Sequence, residues 1–207
     1  MNKIDGIVGV ILAGGQSRRM AGRDKRIMPL AGQPLIAHVI ERFAPQIGPL
    51  ILNVNGDPKP YGEFGLPIAP DTIDGFLGPL AGVLAGMDWA LVNAPQCHWI
   101  ATAAADTPFF PMDFVAQLAE ASEASGALIA RAASLGRAHP TFAIWSVSLA
   151  SDLRSAIADA GVRKATEWTT QQGCATVSFD ASDFDPFFNI NTPDDLLVAE
   201  AHLENFA

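Results

Sequence analysis

Short apolar runs alternate with longer stretches of helical periodicity along this chain, and that alternation constrains the fold more than any other feature. Ile7–Leu12 is apolar throughout, interrupted only by Gly9, as expected of a strand covered on both faces. Leu35, Ile36, Val39, Ile40 and Phe43 then recur at the spacing of an amphipathic helix. Further strands are predicted at Leu50–Val54, Leu66–Ala69, Trp99–Ala104, Ala127–Ala130 and Thr141–Ser146, and helices at Gly78–Val92, from Pro111 to about Ser125, at 148–160 and at 162–171. Gly78, Gly82 and Gly86 share one face of their helix, which suits close packing on a sheet; Gly78, at the helix start, also suits approach to a ligand. A closing helix has Thr192 as its cap, Pro193 at its first position and Asp194 and Asp195 in its first turn. This order predicts an α/β fold: a doubly wound, mostly parallel sheet with helices on both faces, in one domain spanning 1–207. In such sheets ligands bind beyond the carboxyl ends of the strands.

With 49% hydrophobic and 17% charged residues in 207, the chain has ample material for a core and is too apolar to be disordered. A formal charge of −9 argues against a general nucleic-acid binder. Yet five of the 13 basic residues, Arg18, Arg19, Arg23, Lys25 and Arg26, fall in one short stretch. Such a concentration in an acidic protein suits a bound polyanion or, equally on charge alone, a solvated basic loop. Cys97 and Cys174 are far apart and form no Cys-x-x-Cys pair, so reduced structural thiols are expected rather than a disulfide framework or zinc site. Asp5 and Arg18-Arg19 break the pattern of a signal peptide, and Asp88 and Pro79 break the apolar run from Phe76 to Val92. The expected location is the cytoplasm, without a membrane association.

Directly after the first strand comes Leu12-Ala13-Gly14-Gly15-Gln16-Ser17-Arg18-Arg19-Met20, continuing through Gly22 and Asp24 to Lys25. Paired glycines let backbone N–H groups crowd around phosphate oxygens, arginine adds forked hydrogen bonds and lysine a movable charge. Neither Gly-x-x-x-x-Gly-Lys-[Ser/Thr] nor Gly-x-Gly-x-x-Gly occurs, which excludes a Walker-type loop and a dinucleotide fingerprint. Asp106 follows an apolar strand, a position open to a turn-forming residue or to a hard oxygen ligand for Mg²⁺.

Leu12-Ala13-Gly14-Gly15, Ser17-Arg18-Arg19-Met20 and Asp24-Lys25 resemble the signature of the molybdenum cofactor guanylyltransferase (MobA) family, within the MobA-like NTP transferases. The resemblance continues in order along nearly the whole chain. Asn53 ends the second predicted strand and Asp71 follows the third, and then come Gly78-Pro79-Leu80-Ala81-Gly82, Asp106-Thr107-Pro108, His139-Pro140 and Phe188-Asn189-Ile190-Asn191-Thr192-Pro193. Ala21-Gly22 stands where that family carries paired glycines before the lysine.

The resemblance implies a Rossmann-like nucleotidyltransferase fold and Mg²⁺-dependent transfer of GMP from GTP to the terminal phosphate of molybdopterin or Mo-molybdopterin. It implies Lys25, Arg19 and Asp106 as catalytic residues, with Asp106 as the metal ligand. The nucleotide site would comprise Leu12, Ala13, Gly14, Gly15, Arg18, Lys25, Asn53, Asp71, Gly78, Asp106, Asn189 and Asn191. A carboxylate such as Asp71 can accept from the N1–H and N2–H₂ groups of guanine, which cytosine lacks, while Asn53 suits base or ribose. His139 could help bind the pterin or could be a structural histidine at a pre-proline turn. Molybdoenzyme chaperones or cofactor-biosynthesis proteins are the implied partners. Three alternatives stand beside this reading: a CTP-using transferase acting on the same cofactor, a sugar-phosphate nucleotidyltransferase, and a non-catalytic nucleotide or cofactor handover module.

Overall fold

In the computed structural model the described residues are 4–14, 28–75 and 77–204, with the backbone alone of 19–20 and 23–24. The main elements are β1 (Ile7–Leu12), α1 (Leu35–Phe43), β2 (Leu50–Asn53), α2 (Pro79–Asn93), β3 (Trp99–Ala104) and α3 (Phe114–Ser125). They are followed by β4 (Ile129–Ser134), β5 (Arg137–Ser146), α4 (Ala150–Ala158), α5 (Ala165–Gln171), β6 (Ala175–Ser178) and α6 (Pro193–Glu204).

The six strands form one sheet in the order β6-β4-β5-β3-β1-β2. β1 pairs in parallel with both β2 and β3, and β6 in parallel with β4. Only β5 runs against its neighbours β3 and β4. The predicted doubly wound, mostly parallel sheet is therefore present, with one reversed strand inside it.

Helices cover both faces, as the uniformly apolar β1 requires. On one face Ile36, Val39 and Phe43 of α1 and Phe114, Val115 and Leu118 of α3 pack with Ile11, Leu52, Ala101 and Ala103. On the other, Leu80, Val83, Leu84 and Met87 of α2 join Val8, Val10, Ile51 and Ile100, while Leu153, Ile157 and Trp168 close over Trp145. Phe114 is fully buried, with its ring 5.1 Å from Phe110, 5.7 Å from Phe43 and 6.1 Å from Phe142. Phe114→Ala is expected to cost about 3–5 kcal/mol of stability, measured by urea unfolding, with nucleotide affinity of the folded fraction unchanged.

Several predicted boundaries move, each for a physical reason. Leu66–Ala69 is no strand: it is reduced to a bridge from Ile68 to Leu52, flanked by bonds from Leu52 N to Pro67 O and from Ala69 N to Leu52 O. Pro67 and Pro70 lack the donors a longer ladder needs. The helix predicted from Pro111 begins at Phe114, because Pro111 spends its carbonyl on a turn to Phe114 N. The strand predicted at Thr141 starts earlier, at Arg137, and runs through His139-Pro140. Pro140 is accommodated at an irregularity: one step on β4, from Arg131 to Ala132, corresponds to the passage from Ala143 to His139 on β5. The edge strand β6 escapes prediction because it is only four residues long, at the lower limit for alternation between half-buried and exposed positions to register. Cys97 and Cys174 are both free, and burial raises both thiols above their ordinary value.

Candidate active site

The chain leaves β1 for β2 on one side and returns to β3 on the other, so the topological switch lies at β1. The register aligns Leu12 with Asn53 and with Ala104, which puts the segments beyond these residues side by side at the carboxyl edge. Bonds from Ala13 N to Asn53 O (2.9 Å) and from Ala105 N to Leu12 O (3.2 Å) continue the alignment past the strands. The first turn of α2 reaches the same edge, where a helix N-terminus favours negative charge. A Cβ on Gly82 would lie 2.3 Å from Asn53 Oδ1 and 2.9 Å from Leu12 Cδ2.

One end of this edge is a network around Asp71. The buried Asn53 donates through Nδ2 to Ala69 O (3.0 Å) and to Asp71 Oδ1 (2.9 Å). Asn55 donates through Nδ2 to Asp71 Oδ2 (2.6 Å) and Gly14 O (3.2 Å), and its Oδ1 accepts from Asp71 N (2.8 Å). Two amides thus orient one carboxylate. Gly14 is required by that network as well as by any ligand, since a Cβ there would come within 2.7 Å of Asn53 Oδ1 and Asn55 Nδ2. The expected close packing of the α2 glycines is present too: a Cβ on Gly86 would meet Val10 Cγ2 at 2.6 Å. Gly78 caps α2 at φ +78, a conformation costly for a residue with a Cβ.

At the other end stands Asp106, two residues past β3. Asn189 donates through Nδ2 to Asp106 Oδ1 (2.8 Å), and Ile190 N donates to Asp106 O (2.9 Å). The segment that delivers Asn189 is held by a reciprocal cap. Asp195 N donates to Thr192 Oγ1 (3.1 Å), while Asp195 Oδ2 accepts from Thr192 N (2.8 Å) and Asn191 N (2.9 Å). Asn191 takes part in this cap through its backbone N–H, and the expected capping role of Thr192 is present.

The same segment reaches back to the β4–β5 hairpin. Ser134 Oγ donates to Asp185 Oδ1 (2.7 Å) and lies 2.7 Å from His139 Nε2, whose ring stacks on Phe187 at 4.7 Å. With the hydroxyl proton directed to Asp185, the imidazole must donate from Nε2. Burial lowers the His139 pKa from its ordinary value, favouring the neutral ring; Asp185 opposes this shift and Arg137 adds to it. His139 lies within β5 and not at a pre-proline turn, the structural alternative to a pterin contact.

The structure thus brings Leu12, Ala13, Gly14, Asn53, Asp71 and Asp106 to one edge, with Asn189 docked on Asp106. Gly15, Arg18 and Lys25 lie outside the described residues. Arg19 is described by its backbone alone, where Arg19–Met20 pairs antiparallel with Arg23–Asp24. Among the described residues no group of three or more His, Cys, Asp or Glu could cage a metal. Mg²⁺ does not need such a cage, because it commonly uses one or two carboxylates together with substrate phosphates and water. Asp106 is a hard donor suited to that arrangement.

Sequence reasoning passed over Asn55 and the Ser134–Asp185 pair. The Asn-x-Asn spacing at the end of β2 was the signal available for Asn55; nothing local marks the other two. A cleft of about 430 Å³ opens at the opposite edge among Ile4, Ile7, Trp99 and Ile144. Among the described residues the charged groups lining it are Asp5 and Glu123, which would repel a phosphate.

Comparison with known proteins matches residues 9–174 to the MobA-like NTP transferase domain. The chain belongs to that family. It is 45% identical over 202 residues to a molybdenum cofactor guanylyltransferase of Mesorhizobium japonicum, covering 96% of this chain and 97% of that protein. It is 48% identical over 191 residues to one of Rhodopseudomonas palustris, covering 92% and 91%. Among solved structures, molybdopterin-guanine dinucleotide biosynthesis protein A of Archaeoglobus fulgidus superposes with a TM-score of 0.75 at 27% identity, covering 96% of this chain and 99% of that one.

Proposed function

We propose that this chain transfers GMP from GTP to the terminal phosphate of molybdopterin or Mo-molybdopterin, forming the guanine dinucleotide and releasing pyrophosphate. The observation that carries the reading is the placement of two oriented carboxylates, Asp71 and Asp106, at separate points of one sheet edge. Full-length similarity to proteins named molybdenum cofactor guanylyltransferase supports the choice of substrates.

In the proposed reaction an oxygen of the acceptor's phosphate attacks the α-phosphorus of GTP. The bond from that phosphorus to the oxygen bridging the β-phosphate breaks, and the electron pair leaves with pyrophosphate. An ionised phosphate is already nucleophilic, so no general base is needed. Asp71 accepts hydrogen bonds from the guanine edge, and Asn53 holds Asp71. Gly14, Gly15 and Gly78 give the nucleotide close backbone approach. Lys25 with Arg18 or Arg19 neutralises the triphosphate and the departing pyrophosphate. Asp106 would hold Mg²⁺, with Asn189 fixing its carboxylate and Asn191 anchoring the supporting segment. Bound Mg²⁺ would supply positive charge to the phosphate oxygens. A single domain suffices for these roles, and the reading carries a cytoplasmic setting with cofactor-biosynthesis proteins or molybdoenzyme chaperones as recipients. No helix among the described residues is long and apolar enough to cross a membrane.

Calorimetric titration with Mg-GTP, Mg-CTP and Mg-ATP tests the assignment. Preference for GTP is expected; preference for CTP would change the product, and absence of any nucleotide binding, with acceptor present or absent, would remove the transferase reading. Lys25→Ala is expected to weaken Mg-GTP binding by at least about tenfold, in line with losing a charge-assisted contact. Unchanged affinity and turnover in that variant would exclude Lys25 from the triphosphate site.

A further inference from the structure

Asn55 contacts Asp71 at both ends of its amide. Nδ2 donates to the carboxylate at 2.6 Å, and Oδ1 receives the Asp71 backbone N–H at 2.8 Å. A third bond, from Nδ2 to Gly14 O at 3.2 Å, ties the pair to the loop after β1. Asn53 approaches the other carboxylate oxygen at 2.9 Å. A carboxylate offers about four acceptor positions. The two amides use one on each oxygen of Asp71, which fixes the plane of the group and leaves one lone pair on each oxygen. Two lone pairs side by side match two parallel N–H donors. Guanine offers such a pair, N1–H and N2–H; hypoxanthine retains N1–H and lacks the amino group.

We propose that Asn55 is a positioning residue for base selection, holding the Asp71 carboxylate in the orientation that distinguishes guanine from a base without the 2-amino group. The inference rests on the reading of Asp71 as the acceptor for the guanine edge. Asn55 itself need not touch the nucleotide. A merely structural asparagine would affect all nucleotides alike; one acting through Asp71 affects the ratio between them.

The test is calorimetric titration of Mg-GTP and Mg-ITP against wild type, Asn55→Ala, Asn55→Asp, Asp71→Ala and the Asn55→Ala/Asp71→Ala double variant, with folding checked by circular dichroism. Wild type is expected to prefer GTP over ITP by about tenfold or more, the scale of one unmatched polar group in a binding site. Asn55→Ala should weaken GTP more than ITP and collapse most of that ratio. In the Asp71→Ala background it should have no further effect on the ratio. Asn55→Asp keeps the acceptor for Asp71 N–H and the size of the side chain, but loses the donor; it should collapse the ratio as well and serves if the alanine variant does not fold. A wild-type GTP:ITP ratio in a folded Asn55 variant, equal effects of Asn55→Ala with and without Asp71, or failure of both single variants to fold would each overturn the proposal. If Asp71→Ala itself keeps the wild-type ratio, the base reading of Asp71 fails. That outcome differs from one in which Asp71→Ala collapses the ratio and Asn55→Ala does not.

Discussion

Asp106→Ala is expected to lower kcat by about 10²–10³-fold or more, the usual consequence of removing a group that stabilises charge in a transition state, while leaving the fold intact. Asp106 sits past the end of β3, and the bond that docks the 185–190 segment there uses its backbone carbonyl, which the substitution retains. The substitution removes the side-chain contacts from Asn189 Nδ2 (2.8 Å) and Thr107 Oγ1 (3.4 Å). Each hydrogen bond of this kind contributes about 0.5–1.5 kcal/mol to stability, so melting should shift modestly while turnover collapses. Asp106→Asn sharpens the test. It preserves shape and an acceptor for Asn189 but loses the charge, and it should be nearly as inactive. Full metal-dependent turnover in either variant would take Asp106 out of the proposed metal role.

Gly82→Ala has the next largest expected effect, and it reads out at a distance. Alanine in a helix is favoured over glycine by about 1 kcal/mol, so propensity alone would stabilise α2. The new Cβ, however, would lie 2.3 Å from Asn53 Oδ1 and 2.9 Å from Leu12 Cδ2. Overpacking of this type costs about 1–3 kcal/mol, and the group displaced is the amide that holds Asp71. GTP affinity is therefore expected to fall by about tenfold or more. Gly86→Ala meets Val10 instead, so it should lower stability without changing the affinity of the folded protein. Titration and thermal melting of both variants separate the two outcomes. Wild-type GTP affinity in a folded Gly82→Ala protein would detach Asn53 from nucleotide binding.

Local pattern made β1, α1, α2 and β3 legible in the sequence, because a uniformly apolar strand and a helical stripe leave few alternatives. Antiparallel β5 was harder. His139-Pro140 resembles a turn, and only the irregular pairing with β4 shows how a strand tolerates proline there. Leu66–Ala69 was over-read for the opposite reason: its apolar residues fit a strand, but its prolines limit it to a bridge.

The site divides in the same way. Asp106, Asn53 and Asp71 stand just past apolar segments, where the strand-end rule directs attention. Asn55 does not declare itself, since its importance lies in a side-chain pairing with Asp71 across the intervening loop. Gly82 was legible as a close-packing residue, but its neighbour, the Asn53 amide, was not. Pairings such as Ser134 with Asp185 depend on tertiary approach and leave no periodic trace.

The most direct test of the central claim is pyrophosphate release by the purified protein on adding molybdopterin, with Mg²⁺ and GTP, CTP or ATP supplied in turn. Release that requires both molybdopterin and GTP, and is lost when Mg²⁺ is chelated, is the predicted result. Release of pyrophosphate preferentially from CTP, or GTP binding with no release when molybdopterin and Mg²⁺ are both present, would contradict it.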